Sequence, residues 1–166
     1  MATASTGPLL DGPLASLTLT PIAQLDPNLP DQPSRAVRGE VTITWPYNRV
    51  RNTIAFLLAE PDVRLRRAKG QVRVELHGPA AKAVADCGLG GGDQVQLSLE
   101  GAGWAKDESP GRIPGARVDW QIQFAERLVL QVGSQGLWCW CRDGVAIPGT
   151  YTSPGQTRRV RRVETY

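Results

Sequence analysis

Hydrophobic and polar positions alternate with a period of two in several short stretches, the spacing of strands with one buried face. In Glu40-Val-Thr-Ile-Thr-Trp45, Val41, Ile43 and Trp45 fall on one face, and Pro46 ends the pattern. The polar and basic connection Tyr47–Arg51 leads to an apolar strand at Thr53–Ala59. Glu60-Pro61-Asp62 is a turn signal, and a basic stretch follows at Arg64–Gly70. The third strand is Gln71–His77, with Val72, Val74 and Leu76 on one side and Arg73, Glu75 and His77 on the other. Gly78-Pro79 opens a short helix at Ala80–Cys87, because proline suits the first turn, and Gly88 is a natural stop. Its Ala81, Val84 and Ala85 share a face small enough to plug the end of a barrel. A fourth strand, Gln94–Glu100, points Val95, Leu97 and Leu99 inward, and a long Gly-rich loop occupies Gly101–Gly115. The fifth strand, Arg117–Gln131, alternates Val118, Trp120, Ile122 and Phe124; its phase shifts near Glu126–Leu128, as at a β-bulge.

The order strand-strand-strand-helix-strand-strand predicts an all-β OB-fold, a five-stranded Greek-key β-barrel with one short helix between strands 3 and 4. It spans residues 35–132. An open β-sandwich is the rival architecture, and it explains the lone helix less well. Residues 1–34 are a Pro-rich N-terminal arm, either loosely ordered or packed across the domain, since six of its prolines oppose a long helix or central strand. Residues 133–166 are a C-terminal extension or the start of a linker. Within them Leu137–Cys141 reads as an extra strand or a cover for the barrel edge, and Thr157–Tyr166 as a further strand or a loose tail.

Charge changes the picture more through its distribution than its sum of +3. Residues 1–34 carry three acids and no base, whereas residues 35–73 hold nine Arg or Lys against three acids. A basic segment in a nearly neutral domain suggests a polyanionic partner, although a solvated charged face has the same composition. No basic region precedes an apolar stretch at the start, and no apolar run is long enough to span a bilayer, so neither export nor membrane insertion is expected. The three cysteines, Cys87, Cys139 and Cys141, cannot all pair and are not spaced as a disulfide scaffold, which points to a reducing compartment. With His77 the one histidine, no two-His metal site is available. Cys139-x-Cys141 lacks zinc spacing, and Gly88–Gly92 is followed by no Gly-Lys-Ser/Thr. Asp107-Glu108 has no polar partner nearby in sequence. We therefore expect no catalysis and no cofactor.

Single-strand binding needs a positive groove for the backbone and flat side chains for bases. An OB-fold presents both on strands 2 and 3 and in the loops joining strands 1–2 and 4–5. The first loop supplies Tyr47, Asn48, Arg49 and Arg51 after Trp45. Arg64, Arg66, Arg67, Lys69 and Arg73 flank or enter the third strand, with His77 at its end, and the 4–5 loop adds Trp104, Lys106 and Arg112. The predicted topology brings these groups to one surface. Among the aromatics, Trp45 fits a core position in phase with Val41 and Ile43 or a stacking one. Trp120 fits the core; Tyr47, right after Pro46 in a polar loop, fits a binding role better than a core one, and Trp104 in a Gly-rich charged loop either meets a partner or folds back.

Three segments carry a family resemblance: Arg38-Gly-Glu-Val-Thr-Ile-Thr-Trp-Pro-Tyr47, Phe56-Leu-Leu-Ala-Glu-Pro-Asp62 and Gly91-Gly-Asp-Gln-Val-Gln-Leu-Ser-Leu99. Over roughly residues 36–132 the chain resembles the protection-of-telomeres proteins in a fungal version. The resemblance implies a nuclear protein of the chromosome end whose OB domain binds the single-stranded, G-rich telomeric DNA overhang. It also implies other telomere-complex proteins as partners, and a chain that is the N-terminal piece of a longer one. The Lys/Thr-rich first loop of animal and yeast members is missing here, so only the binding surface is carried over. The alternative is an OB-fold protein-interaction module in a telomere or replication complex, with a weaker third reading as an RNA- or tRNA-binding OB-fold.

Overall fold

The structure, a computed structural model, describes residues 14–132 apart from 15, 112, 114 and 127, and the strand paths of 137–142 and 145–150. Its elements in chain order are β1 (Thr18–Leu19), β2 (Arg35–Asn48), β3 (Thr53–Ala59), α1 (Val63–Arg66), β4 (Gln71–His77) and α2 (Gly78–Asp86). They continue as β5 (Gln94–Ser98), β6 (Gly103–Lys106), β7 (Arg117–Phe124), β8 (Leu128–Val132), β9 (Leu137–Arg142) and β10 (Val145–Thr150). Hydrogen-bonded neighbours follow the order β10-β9-β8-β5-β2-β3-β4-β7-β6, with β1 alongside β2.

The fold is all-β and OB-like. β2, β3 and β4 form an antiparallel meander, β5 returns to the free side of β2, and β7 lies parallel to β4. β8 pairs with β5, so the two halves of the fifth strand of the sequence reading join different parts of the sheet. The phase shift near Glu126–Leu128 is thus a break between two strands, and the outer strands of the path are β10 and β6. α2 follows β4 and packs on β3 and β4, burying Ala80, Ala81, Ala83 and Val84.

Turn chemistry explains why β3 ends and β4 begins where they do. Asp62 caps α1 by accepting from the Arg64 N–H at 2.8 Å, and Gly70 lets the chain re-enter the sheet against that turn. A Cβ on Gly70 would stand 2.1 Å from the Leu65 carbonyl oxygen and 2.8 Å from the Arg66 nitrogen, both backbone atoms. Overpacking of this kind costs about 1–3 kcal/mol. Gly70→Ala should therefore lower the thermal unfolding midpoint, and an unchanged midpoint would mean that this turn opens freely.

Four expectations need correction. β2 is longer than Glu40–Trp45 and continues through Pro46, where its pairing with β3 shifts register between Trp45 and Asn48. Proline has no ladder N–H, so the irregularity falls there. Second, part of the Gly101–Gly115 loop is a strand: β6 forms a hairpin with β7, and Trp104 pairs with Ile122. Third, Cys87 is disulfide-bonded, although the cysteine spacing is unlike that of a disulfide scaffold. Fourth, Trp120 is half-buried, while Val118, Ile122 and Phe124 are 3%, 0% and 1% exposed. Trp120 stays in step with Ile122 along β7 but lies opposite Lys106, the last residue of the edge strand β6.

From Leu14 on, the described part of the N-terminal arm packs across the domain. Leu14, Ile22 and Leu25 are 2%, 0% and 3% exposed. The Ile22 N–H donates to Glu60 Oε1 at 2.9 Å, and Gln96, itself fully buried, donates to the Leu14 carbonyl at 3.3 Å. At the other end β9 and β10 extend the sheet past Val132, so Leu137–Cys141 is the extra strand. The tail Thr157–Tyr166 lies outside the described residues.

Candidate nucleic-acid interface

One bulge decides what faces outward. Val41 pairs with Leu58, but Ile43 pairs with Leu57, the next residue along β3. The extra residue, Thr42, reverses the alternation. Val41 stays in the core at 0% exposure, and Ile43 turns out to 46%. Trp45, two residues on, faces out as well. It lies opposite Ala55, which lies opposite Glu75, and so small a neighbour leaves the indole room to reach across β3. The Arg73 guanidinium on β4 is 4.7 Å from the ring centroid and that of Arg117 on β7 is 6.0 Å away. Both distances are in the range of cation–π attraction.

The β2–β3 turn closes this end of the sheet. Asn48 Oδ1 accepts from the backbone N–H groups of Val50 and Arg51, each at 3.0 Å, and Asn52 takes the left-handed conformation that tightens the loop. Asn48 therefore uses its oxygen on the turn and keeps its NH₂ for a ligand. Between turn and sheet lies a groove of about 380 Å³ lined by Trp45, Asn48, Arg51, Arg73, Glu75 and His77, among others. Glu75 is its polar centre: Oε2 accepts from Arg73 at 3.1 Å, and Oε1 lies 2.9 Å from His77 Nε2.

Beneath Trp45, Arg117 enters a buried polar cluster. Its Nη1 donates to Ser109 Oγ at 2.7 Å and lies 3.4 Å from Asp107 Oδ2. The Ser109 hydroxyl and backbone N–H both donate to Asp107 Oδ1, at 2.5 and 3.0 Å. Burial alone would raise the Asp107 pKa and is the largest single influence, but the two Ser109 bonds and the Arg117 charge together hold it below the usual carboxylate value. Asp107 thus has polar partners, against the sequence reading: Ser109 is two residues away in the chain and Arg117 ten.

Of the residues singled out from sequence, Asn48, Arg51, Arg73 and His77 meet in the groove. Arg49 is exposed in the adjoining turn. Tyr47 packs against the core and donates its hydroxyl to Asn52 Oδ1. Trp104 folds back: it too packs against the core, and its Nε1 donates to Gln32 Oε1 of the N-terminal arm at 3.0 Å. Lys106 ends β6, opposite Trp120, and Arg112 lies outside the described residues. Arg64, Arg66, Arg67 and Lys69 sit where β3 passes to β4, at the end of those strands away from the β2–β3 turn. The expected single basic surface is thus divided along the length of β4. Arg66 is a structural clamp, donating to Glu40 Oε2 at 3.0 Å and to the Glu60 carbonyl at 2.6 Å.

The sequence reading left out Glu75 and Arg117, and left Trp45 undecided. Glu75 was legible, since it falls between Arg73 and His77 on the outward side of β4. Arg117 gave no such signal, because its role depends on contacts with β2 and with the stretch after β6. Among the described residues no three His, Cys, Asp or Glu gather as a metal site, and no helix is long and apolar enough to cross a membrane.

The sequence pattern of a family described as Domain of unknown function (DUF8502) matches residues 16–137. No curated protein matches the sequence. Among solved structures, a chain named as an aspartyl-tRNA synthetase of Leishmania major Friedlin is similar at 16% identity and a TM-score of 0.45. That similarity covers 74% of this chain and 21% of the synthetase, so the chain spans about a fifth of that protein's length. The OB domain of Ta0387 from Thermoplasma acidophilum is similar at 12% identity and a TM-score of 0.38, over 70% of this chain and 88% of that one. At these values neither likeness bears on function.

Proposed function

Because the chain belongs to the DUF8502 family, whose description assigns no activity, we propose a function from its groove: binding of single-stranded nucleic acid. The observation that carries this reading is Trp45 on the outer face of the sheet with Arg73 4.7 Å from its ring. A flat ring, guanidiniums from Arg73 and Arg51, and the free amide of Asn48 supply what a single strand asks for, stacking for bases and donors for phosphates. Glu75 adds an acceptor for base amino groups. No catalysis is part of the proposal.

The finer form of the reading is binding of the G-rich telomeric overhang, in a nuclear protein of the chromosome end. The resemblance of residues 38–47, 56–62 and 91–99 supports it. Fluorescence-anisotropy titration with telomeric-repeat, scrambled and complementary strands separates the two forms. Preference for the repeat favours the finer form, and equal affinity leaves the coarser one. Log affinity should fall with log salt by ~0.7 per phosphate contact.

Trp45→Ala should weaken binding by about 1–3 kcal/mol, the usual cost of losing a stacking platform, with little change in thermal unfolding because Trp45 lies outside the core. Wild-type affinity in that variant would move the site elsewhere. If no strand binds the wild type, the protein-interaction reading replaces this one.

A further inference from the structure

A second depression, of about 410 Å³, lies at the other end of β4. It is lined by Val63, Arg66, Arg67, Gln71, Ile113 and Ala116. Val63 and Ile113 are 61% and 67% exposed, a large apolar surface to leave in water beside so many cations. Arg66 is fixed by Glu40 and the Glu60 carbonyl, and Gln71 by its bond to the Arg66 carbonyl at 3.2 Å. The cleft wall is therefore held in place. Arg67 on its rim, and Arg64 and Lys69 nearby in the chain, are exposed, and among the described residues no hydrogen bond or ion pair holds their side chains.

The two depressions share one row of side chains. Gln71 belongs to the cleft, and Arg73, Glu75 and His77 to the groove. These four alternate residues point outward from β4, so the row crosses the sheet surface from one depression to the other. Six strand steps make its length roughly 20 Å, about six nucleotides at the ~3.4 Å spacing of a stacked strand. That length lies within the site sizes of about 4–16 nucleotides known for OB-folds.

We propose that the cleft at α1 is a second subsite for the same single strand, with Val63 and Ile113 receiving a base and Arg67 a phosphate. The proposal rests on the reading of the groove as a single-strand site. It gives the separated basic cluster a role that groove binding alone leaves empty.

The test compares single-stranded DNA of four and eight nucleotides, titrated by anisotropy against the full chain and its Arg67→Glu and Ile113→Asp variants. Both positions are exposed, and unchanged thermal unfolding will show that each variant folds; Arg67→Ala serves as a milder second change. Wild type should bind eight nucleotides more tightly than four. Each variant should lose that gain while holding four nucleotides as wild type does. The salt slope of Arg67→Glu on the longer strand should drop by ~0.7, one phosphate contact. If wild type shows no gain with length, or the variants keep it, the second subsite is wrong. The groove reading then still stands, provided that Trp45→Ala weakens the shorter strand. Should no strand of either length bind wild type, both fall together.

Discussion

Asp107→Ala is expected to destabilise the protein by about 3–5 kcal/mol, the cost of removing one partner from a buried ion pair. The Asp107 and Arg117 side chains are 0% and 6% exposed, so the variant leaves a buried guanidinium without its carboxylate, with the Ser109 hydroxyl as its remaining hydrogen-bond acceptor among the described residues. Urea unfolding at neutral pH measures the loss, and a change below about 1 kcal/mol, the scale of an exposed pair, would mean that water reaches the cluster. Acid provides a second reading. The folded carboxyl titrates below its ordinary value of 3.8. Its stabilising contribution is therefore full above that value and is lost as pH falls through the lower, folded one. The gap between wild type and Asp107→Ala should narrow over that acid interval and not on the alkaline side. Arg117 also lies 6.0 Å from the Trp45 ring, so the same variant should disturb single-strand binding, unlike a core change at a distance from the groove.

Phe124→Ala should cost about 3–5 kcal/mol as well, but for a different reason. Phe124 is 1% exposed at the end of β7 and pairs with Leu76, which is fully buried. Truncation removes the transfer free energy of a ring and leaves a cavity. Two sheet segments meet there, since β7 pairs with β4 and, after the break, β8 pairs with β5, and neither can shift inward without breaking its ladder. Phe124→Leu keeps most of the volume and should cost clearly less. Chemical denaturation of the pair decides the matter: equal losses would show that shape at this site counts for little. Single-strand affinity should hold in both variants under conditions where they are folded, because Phe124 points into the core and the groove lies on the outer face.

Much of the framework was readable from residue pattern alone. Thr53–Ala59 and Gln71–His77 have the limits read from sequence, because alternation or a solid apolar run continues unbroken between turn residues at both ends. The helix after the third strand, the order of strands, and the outward placement of Arg73, Glu75 and His77 follow from the same local rules. These conclusions need only the period of a strand and the chemistry of proline and glycine.

Tertiary structure decided the rest, and the reason is common to each case. Period two says which residues share a face only while register holds. A single extra residue at Thr42 turned Trp45 from a core candidate into the outward ring of the groove, and Trp120, although in step with Ile122, came to lie half-buried opposite the end of the edge strand β6. Tyr47 and Trp104 went the other way. In a loop reading they were free for a partner, but packing against the core and bonds to Asn52 and Gln32 hold them to the protein. Basic residues close in sequence were parted because α1 and the β2–β3 turn lie at opposite ends of β4. Asp107 met Arg117 only once the hairpin of β6 and β7 had formed. Local pattern thus determined the central strands and their order along the chain, whereas bulges and contacts between distant segments determined which side chains face the groove, since the energy of those choices resides in partners that no stretch of sequence contains by itself.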